Sequence, residues 1–334
     1  MTASYKAYWF ISILEYINRE DLTEIPIKNL CARMLVNAWY PVHFFKLNFG
    51  LQDLISKHNL SLKKHLQLEA DISKDELLNI LLTSQDPYVN RLILHFQKNV
   101  TYRFLSPWIK YTTDVQVAQK SLNYPNDAPY SIHKEKNIII INPTWATYLT
   151  ENYSILNDYG YWKLAQYIQI KNPGVPDIIN KLIKPASRGS LTSQRNYWNI
   201  VFDQVNSIDC IYTKTELNSS NYAVEHFIPW SFTAHNLIWN LIPANPSINS
   251  SKSNKLPSTD FIPYFADIQK CGLNIIYNKK PNHKLLNDYA VFGISISELI
   301  ALDNLKFQEL YINLLSPQLQ LAKQLGFENW NYHL

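Results

Sequence analysis

The residues of this 334-residue chain that could do chemistry are concentrated in one stretch, 222–257. There an apolar pair, Ala223 and Val224, leads directly into an acidic residue and a histidine, Glu225 and His226. Because successive side chains of a strand point to opposite faces, the two neighbours can do different work, one on a hard cation and the other on a water molecule. A carboxylate and a histidine in this arrangement predict a metal site with a general base beside it, which is suited to hydrolysis.

The residues downstream extend this pattern in order and in spacing. Pro229 and Pro243 interrupt a run without acidic or basic side chains other than histidine, and a polar segment follows them. Together these residues resemble the HNH nuclease motif, or ββα-metal finger, of the variety found in RNA-guided CRISPR nucleases and in stand-alone bacterial HNH endonucleases. A Cys-x-Tyr-Thr segment extends the resemblance upstream to about residue 208. The matching positions are Glu225, His226, Pro229, Ser231, Phe232, Asn240, Asn249 and residues 252–257.

The resemblance implies a role for each residue of the predicted catalytic site. His226 is the general base, and Glu225 and Asn249 are the metal ligands. Asn240, expected on the second strand of the finger, braces the loop that follows the histidine. One carboxylate and one amide oxygen are hard ligands that leave most coordination positions to water and substrate. Mg²⁺ or Mn²⁺ is therefore the expected cofactor, in preference to zinc.

Each of these residues also has a purely structural interpretation. Glu225 could be half of a buried ion pair, although no Lys or Arg lies between it and Lys252. Asn249 could cap a short helix, and Asn240 could be an ordinary turn residue. His235 is expected to be a loop residue outside the site. If Glu225 is instead placed for a metal, its replacement should cost little stability, because its carboxylate would otherwise be unpaired.

The basic residues predict where nucleic acid would bind. Lys252 and Lys255, on the helix side of the motif, are expected to contact substrate phosphate. Residues 101–200 hold 11 Lys and Arg against 6 Asp and Glu, in a chain with a net charge of +4. Such an excess is typical of a surface that binds a phosphate backbone, and equally of a solvated face. Within it, Arg188 and Arg195 accompany the start of a helix capped near position 190 or 192, which predicts a phosphate site.

Composition excludes several other classes of protein. Seven glycines disfavour a Gly-rich nucleotide-binding fold, while 46% hydrophobic residues allow a sizeable core. The three cysteines are too few and too scattered for a disulfide framework. Thr213 stands where a Cys-x-x-Cys pair beginning at Cys210 would have its second cysteine, so no structural zinc is expected. The remaining two cysteines are Cys31 and Cys271.

The sequence predicts a cytoplasmic protein without a membrane partner. There is no run of 18 consecutive apolar residues, which a membrane-spanning helix would need. The amino terminus places Lys6 and Glu15 around a short aromatic run and lacks the apolar core and cleavage site of a signal peptide.

The rest of the chain reads as mainly helical. Helical spacing over residues 8–50 is interrupted by Pro41, which should end or kink a helix. Ser73 has the character of a helix cap, and four consecutive isoleucines before Asn142 predict a buried strand. Residues 261–280 read as mixed structure, and residues 294–327 as helical at both ends.

The predicted fold is mainly α with an embedded ββα-metal (His-Me finger) HNH module. The break at residues 172–176 divides the chain into two parts. Residues 1–172 form a helical amino-terminal domain that recognises the target or a partner. Residues 186–334 form the HNH nuclease domain with its carboxy-terminal helices.

The expected function is metal-dependent hydrolysis of phosphodiester bonds in nucleic acid, with DNA as the preferred candidate, in phage defence or in a mobile element. Two alternatives stay open: a non-catalytic nucleic-acid-binding module, and a nuclease subunit that is active only within a partner complex. A protein partner or a homo-oligomer is also left open. The Glu-His pair and the two asparagines favour activity, because a pure binding module needs none of them.

Overall fold

The computed structural model describes residues 3–20, 23–183 and 189–332, without the side chains of Glu20 and Asn99. The chain forms two compact units, one of residues 1–173 and 178–184 and the other of residues 174–177 and 185–334. Both units are mainly helical, which confirms that part of the predicted fold. Among the residues described, no helix combines the length and the apolar character needed to cross a bilayer.

The first unit contains nine α-helices and one three-stranded antiparallel sheet within the described ranges. In the sheet, β3 lies between β1 and β2. The helices are α1 Tyr5–Glu20, α2 Ile27–His43, α3 Ile55–Leu66, α4 Lys74–Thr83, α5 Pro87–Leu94, α6 Gln97–Val100, α7 Asp114–Ser121, α8 Pro143–Glu151 and α9 Tyr153–Lys171. The strands are β1 Glu24–Pro26, β2 Tyr130–His133 and β3 Ile138–Ile141.

Local sequence signals explain several of these elements. The four isoleucines form β3, the central strand, which confirms the predicted strand, although only Ile139 and Ile141 are buried and the other two are half-buried. Ser73 caps α4 by accepting a hydrogen bond from the Glu76 N–H at 3.2 Å, as predicted. Pro41 lies inside α2, which ends two residues later at His43. A proline has no N–H to continue the helical ladder, so an early end is expected.

The second unit contains six α-helices and two two-stranded antiparallel sheets within its described residues. One sheet pairs β4 with β5, and the other pairs β6 with β7. The strands are β4 Ile208–Asp209, β5 Glu216–Leu217, β6 Ala223–His226 and β7 Leu241–Ala244. The helices are α10 Thr192–Val205, α11 Trp230–Thr233, α12 Pro246–Lys252, α13 Ile262–Lys279, α14 Ile296–Ala301 and α15 Asn304–Gln324.

The carboxy-terminal part of the second unit corrects one prediction. Residues 262–279 form the single helix α13 and not mixed structure. Pro263 lies in its first turn, where a missing N–H costs nothing. Gly272 lies against Trp198, where an added Cβ would come within 3.0 Å of the indole ring. The two residues that disfavour a helix in the sequence are therefore accommodated, while α14 and α15 confirm the predicted helices.

Helix α13 also fixes the start of β7. The side chain of Gln269 is fully buried and donates hydrogen bonds to the carbonyl groups of Ile238 and Leu241 at 3.0 and 2.8 Å. The hydroxyl of Tyr289 donates in turn to the Gln269 side chain at 2.7 Å. This buried polar chain holds the strand that pairs with the Glu225-His226 strand.

Candidate active site

The central element of the site is the antiparallel pair of β6 and β7. Glu225 lies opposite Ile242 and His226 lies opposite Leu241. Helix α12 follows β7 directly, begins after Asn245 and packs against β6. The order along the chain is therefore strand, strand and helix, with the Glu-His pair at the end of the first strand.

Glu225 is buried and is held by two side chains. Its Oε1 lies 2.5 Å from Nζ of Lys252, and its Oε2 accepts a hydrogen bond from the Tyr212 hydroxyl at 3.2 Å. Glu225 and Lys252 are each only 1% exposed. Lys252 also donates to the backbone carbonyl of His226 at 2.8 Å. Glu225 is thus half of a buried ion pair, as its structural interpretation proposed.

This ion pair overturns two expectations. The carboxylate of Glu225 is not unpaired, so its replacement would leave the Lys252 ammonium buried without a counter-charge. The predicted contact of Lys252 with a substrate phosphate does not fit its placement either. The ammonium is inside the protein, and its hydrogen bonds go to Glu225 and to the His226 carbonyl.

His226 is half-buried, and its Nε2 lies 3.0 Å from Oδ1 of Asn236. The amide of Asn236 is oriented by its own Nδ2, which donates to the Gly189 carbonyl at 3.3 Å. Since Oδ1 can only accept, the proton of this hydrogen bond is on His226 Nε2. In the neutral ring Nδ1 then carries the lone pair that a general base needs.

Asn240 fastens the loop that follows the histidine. Its side chain is fully buried and makes two hydrogen bonds to the backbone of Ile228, accepting from the N–H and donating to the carbonyl, both at 2.9 Å. Its own carbonyl accepts from the Phe227 N–H at 2.9 Å. Asn240 ends the short 3-10 turn Ile238–Asn240 immediately before β7, one residue earlier than the expected position on the strand.

Asn249 lies within α12 and is half-buried. The residue that caps this helix is Asn245, whose side chain accepts from the Ser247 N–H at 2.9 Å. The capping interpretation of Asn249 is therefore wrong. Its role as a metal ligand stays a prediction.

The remaining predicted nucleic-acid contacts lie outside the buried cluster. Lys255 is exposed, just beyond the end of α12. Arg195 is exposed on the first turns of α10, and its guanidinium lies 4.8 Å from the centre of the Tyr222 ring. Arg188 lies outside the described residues. The rest of the predicted phosphate site is described: α10 begins at Thr192 after Leu191, which makes no side-chain capping bond, while Ser190 Oγ accepts from the Thr192 N–H at 3.2 Å.

Sequence reasoning missed two residues that the structure brings to the site, Tyr212 and Asn236. Burial, together with the nearby Glu225 carboxylate, raises the pKa of Tyr212 well above its ordinary value, so its hydroxyl stays a neutral donor. Tyr212 belongs to the Cys-x-Tyr-Thr segment, which was a usable signal. Asn236 follows His235, whose ring packs against Trp239, and no sequence signal distinguishes it.

The donor set can be tested against a divalent metal. In the part of the chain that is described, no group of three or more His, Cys, Asp and Glu side chains could hold an ion. Glu225 and Asn249 are by residue type one carboxylate and one amide, oxygen donors that suit a hard, largely hydrated cation, and Asn249 lies on α12, the helix that packs against β6. A cation could bind the Glu225 carboxylate only in competition with Lys252, which already neutralises it.

Comparison with known proteins suggests nuclease activity for the segment that contains this site. Residues 210–258 match the model of the family described as HNH endonuclease. The predicted HNH resemblance is confirmed, with nucleic acid as the substrate that the domain implies. HNH nucleases generally depend on a divalent metal ion. No curated protein and no solved structure matches the chain.

Proposed function

We propose that this protein is a metal-dependent HNH endonuclease that hydrolyses phosphodiester bonds of DNA, with β6, β7 and α12 as its ββα-metal module. The observation that carries the proposal is the placement of His226 within the family-matched segment. It ends β6 next to the buried Glu225 and donates through Nε2 to Asn236. In a neutral ring that is protonated at Nε2, Nδ1 is the atom that would accept the proton of a water molecule.

In this proposal the protein's own groups divide the work. His226 removes the proton of the attacking water, and Asn240 fixes the loop after it through the two bonds to Ile228. Glu225 and Asn249 hold Mg²⁺ or Mn²⁺. When bound, the ion relieves negative charge on the phosphoryl and leaving oxygens.

Contact with the substrate backbone is assigned to exposed basic residues. Lys255 lies close to the end of α12, and Arg195 lies on α10 next to the segment that enters β6. Both present their charge to solvent, as a phosphate-binding residue must. Arg188 is retained in the same role, and Lys252 is reassigned from this group to the Glu225 pair.

The division of labour between the two parts of the chain is also a proposal. Residues 1–172 select the target or bind a partner, and residues 186–334 carry the chemistry, because the motif has too few side chains to read many bases. Exposed apolar side chains at helical spacing on α9 favour a protein partner or a second copy. They are Ile155, Tyr159, Trp162 and Ile170.

That surface supports a second candidate, a nuclease subunit that is active only within a partner complex. A cytoplasmic location and a role in phage defence or a mobile element belong to the same proposal. They rest on the resemblance to stand-alone bacterial HNH endonucleases.

The test is incubation of the purified chain with supercoiled plasmid, single-stranded DNA and RNA of matched length, with Mg²⁺, Mn²⁺ or EDTA. Nicking and linearisation of the plasmid with either metal ion, and no cleavage with EDTA, is the expected result. Cleavage of RNA alone would contradict the DNA assignment. Binding of DNA without cleavage, with His226 and Glu225 intact, would favour the non-catalytic module instead.

A further inference from the structure

We propose that Lys252 is a built-in counter-ion that competes with the divalent cation for Glu225. The metal site is then completed only when the Lys252 ammonium turns away from the carboxylate. This inference rests on the proposed function in one respect, the assignment of Glu225 as a metal ligand. It assigns to Lys252 a positioning role in place of a contact with substrate.

The geometry of the pair is that of a group built into the fold. The ammonium lies 2.5 Å from Glu225 Oε1, and both side chains are almost completely removed from solvent. A charge buried to this degree needs a partner of opposite charge. Lys252 supplies that partner, so the carboxylate is neutralised by a group of the protein itself.

A divalent cation at the same carboxylate would lie within a few ångströms of the ammonium. Like charges at such separations repel strongly where water is excluded. Tyr212 already donates to the second carboxylate oxygen. A cation that binds Glu225 must therefore work against Lys252, and the ammonium must move for the site to reach its full affinity.

Lys252 is positioned to couple this exchange to the general base. The same ammonium that neutralises Glu225 also donates to the backbone carbonyl of His226 at 2.8 Å. Lys252 is the last residue of α12, and Ser253 after it adopts a φ of 46°, a conformation uncommon for serine. The turn is tied to α11 by the hydrogen bond from Ser231 to Asn254 at 3.1 Å. The inward direction of Lys252 thus belongs to a defined turn and not to a flexible surface chain.

The chain offers a matched control three residues away. Lys255 follows the same turn but is exposed. Replacing either lysine by methionine keeps an unbranched side chain of similar length and removes the charge. Lys252→Met should therefore free Glu225 for a cation, whereas Lys255→Met should not.

The experiment measures thermal unfolding and calorimetric Mg²⁺ and Mn²⁺ binding of the full chain without nucleic acid. Without metal, Lys252→Met should melt about 6 °C or more below the parent, because a buried carboxylate loses its counter-charge. Mg²⁺ should raise its melting temperature more than that of the parent, with at least about tenfold tighter binding, because a ligand stabilises the fold according to its affinity. Lys255→Met should match the parent in both measurements.

Equal metal responses of Lys252→Met and the parent would overturn the proposal. If Lys252→Met does not fold, the double variant Glu225→Gln/Lys252→Met, which has neither charge, should fold and show no gain with Mg²⁺. In that case refolding Lys252→Met with Mg²⁺ or Mn²⁺ should recover native protein, and failure to do so would also overturn the proposal.

None of these measurements requires cleavage, so the two ideas fail separately. A parent protein that cleaves no nucleic acid, together with a Lys252→Met variant that gains metal-dependent stability, would contradict the proposed function and support the counter-ion. If the parent cleaves DNA but Lys252→Met gains no metal-dependent stability, the proposed function is supported and the counter-ion proposal is contradicted.

Discussion

Two buried carboxylates, one in each compact unit, are held in different ways. Asp53 in the first unit accepts hydrogen bonds from the backbone N–H groups of Ser4 and Ile55 at 2.7 and 3.1 Å. Glu225 in the second unit is held by the side chains of Lys252 and Tyr212. The two are equally inaccessible, at 2% and 1% exposure.

The two carboxylates differ in whether their partners can move away. Backbone amides are fixed by the fold, so Asp53 permanently joins the chain just before α1 to the start of α3. Burial raises the pKa of Asp53, although hydrogen bonding from Ser4, by its side chain and its backbone, and from the Ile55 amide lowers it. Side-chain partners can rotate away, so Glu225 can change partners without loss of the backbone structure. A buried carboxylate with exchangeable partners is suited to ligand chemistry, whereas one with backbone partners is suited to architecture.

The largest expected effect is on the rate of cleavage. His226→Ala removes the proposed general base but neither buried carboxylate, so DNA cleavage should fall by about 10²–10⁴-fold while the fold is kept. Single-turnover cleavage of plasmid with excess protein measures this. The control is His235→Ala, which removes a ring that packs on Trp239 and should change the rate little. If His226→Ala cleaved DNA at the parent rate, His226 would not be the general base.

Replacing each buried carboxylate by its isosteric amide compares how strongly the two side chains stabilise the fold. Glu225→Gln leaves the Lys252 ammonium buried without a counter-charge and should cost about 3–5 kcal/mol in free energy of unfolding. Asp53→Asn keeps an oxygen for one of the two backbone N–H groups and should cost about 1–2 kcal/mol. Urea denaturation followed by far-UV circular dichroism gives both values. If both variants lost the same free energy of unfolding, the difference between backbone and side-chain partners would have no effect on stability.

A smaller effect is expected at the loop after His226. Asn240→Asp keeps the acceptor for the Ile228 N–H but loses the donor to the Ile228 carbonyl, so it should cost about 1–3 kcal/mol. Asn240→Leu loses both bonds and should be the less stable of the two. Thermal unfolding of both variants, with cleavage rates measured below their melting temperatures, checks the order. If Asn240→Leu is as stable as the parent, the two bonds do not fasten the loop.

Much of this arrangement could be predicted from the sequence where the signal is local. The isoleucines of β3, the Ser73 cap and the HNH segment each depend on neighbouring residues, and all three are confirmed. Helix α13 departs from the prediction of mixed structure. Pro263 and Gly272 disfavour a helix locally, but the first-turn position of one and the contact of the other with Trp198 permit it.

The pairing of Glu225 with Lys252 could not be predicted in the same way. The two residues are far apart in the chain, and their contact depends on the direction in which α12 leaves β7 and on the turn that ends it. Tyr212 and Asn236 reach the site for similar reasons, through the turn between β4 and β5 and the loop before β7. Residue types and spacing predict which groups do chemistry, but tertiary packing decides which partners hold them.

The most direct test of the site is the Mg²⁺ dependence of the cleavage rate for the parent, Glu225→Gln and His226→Ala, at a temperature at which all three are folded. If Glu225 holds the ion and His226 activates the water, raising Mg²⁺ should recover part of the activity of Glu225→Gln and none of the activity of His226→Ala. Identical responses of the two variants to Mg²⁺ would contradict the assignment of these neighbouring residues to different roles.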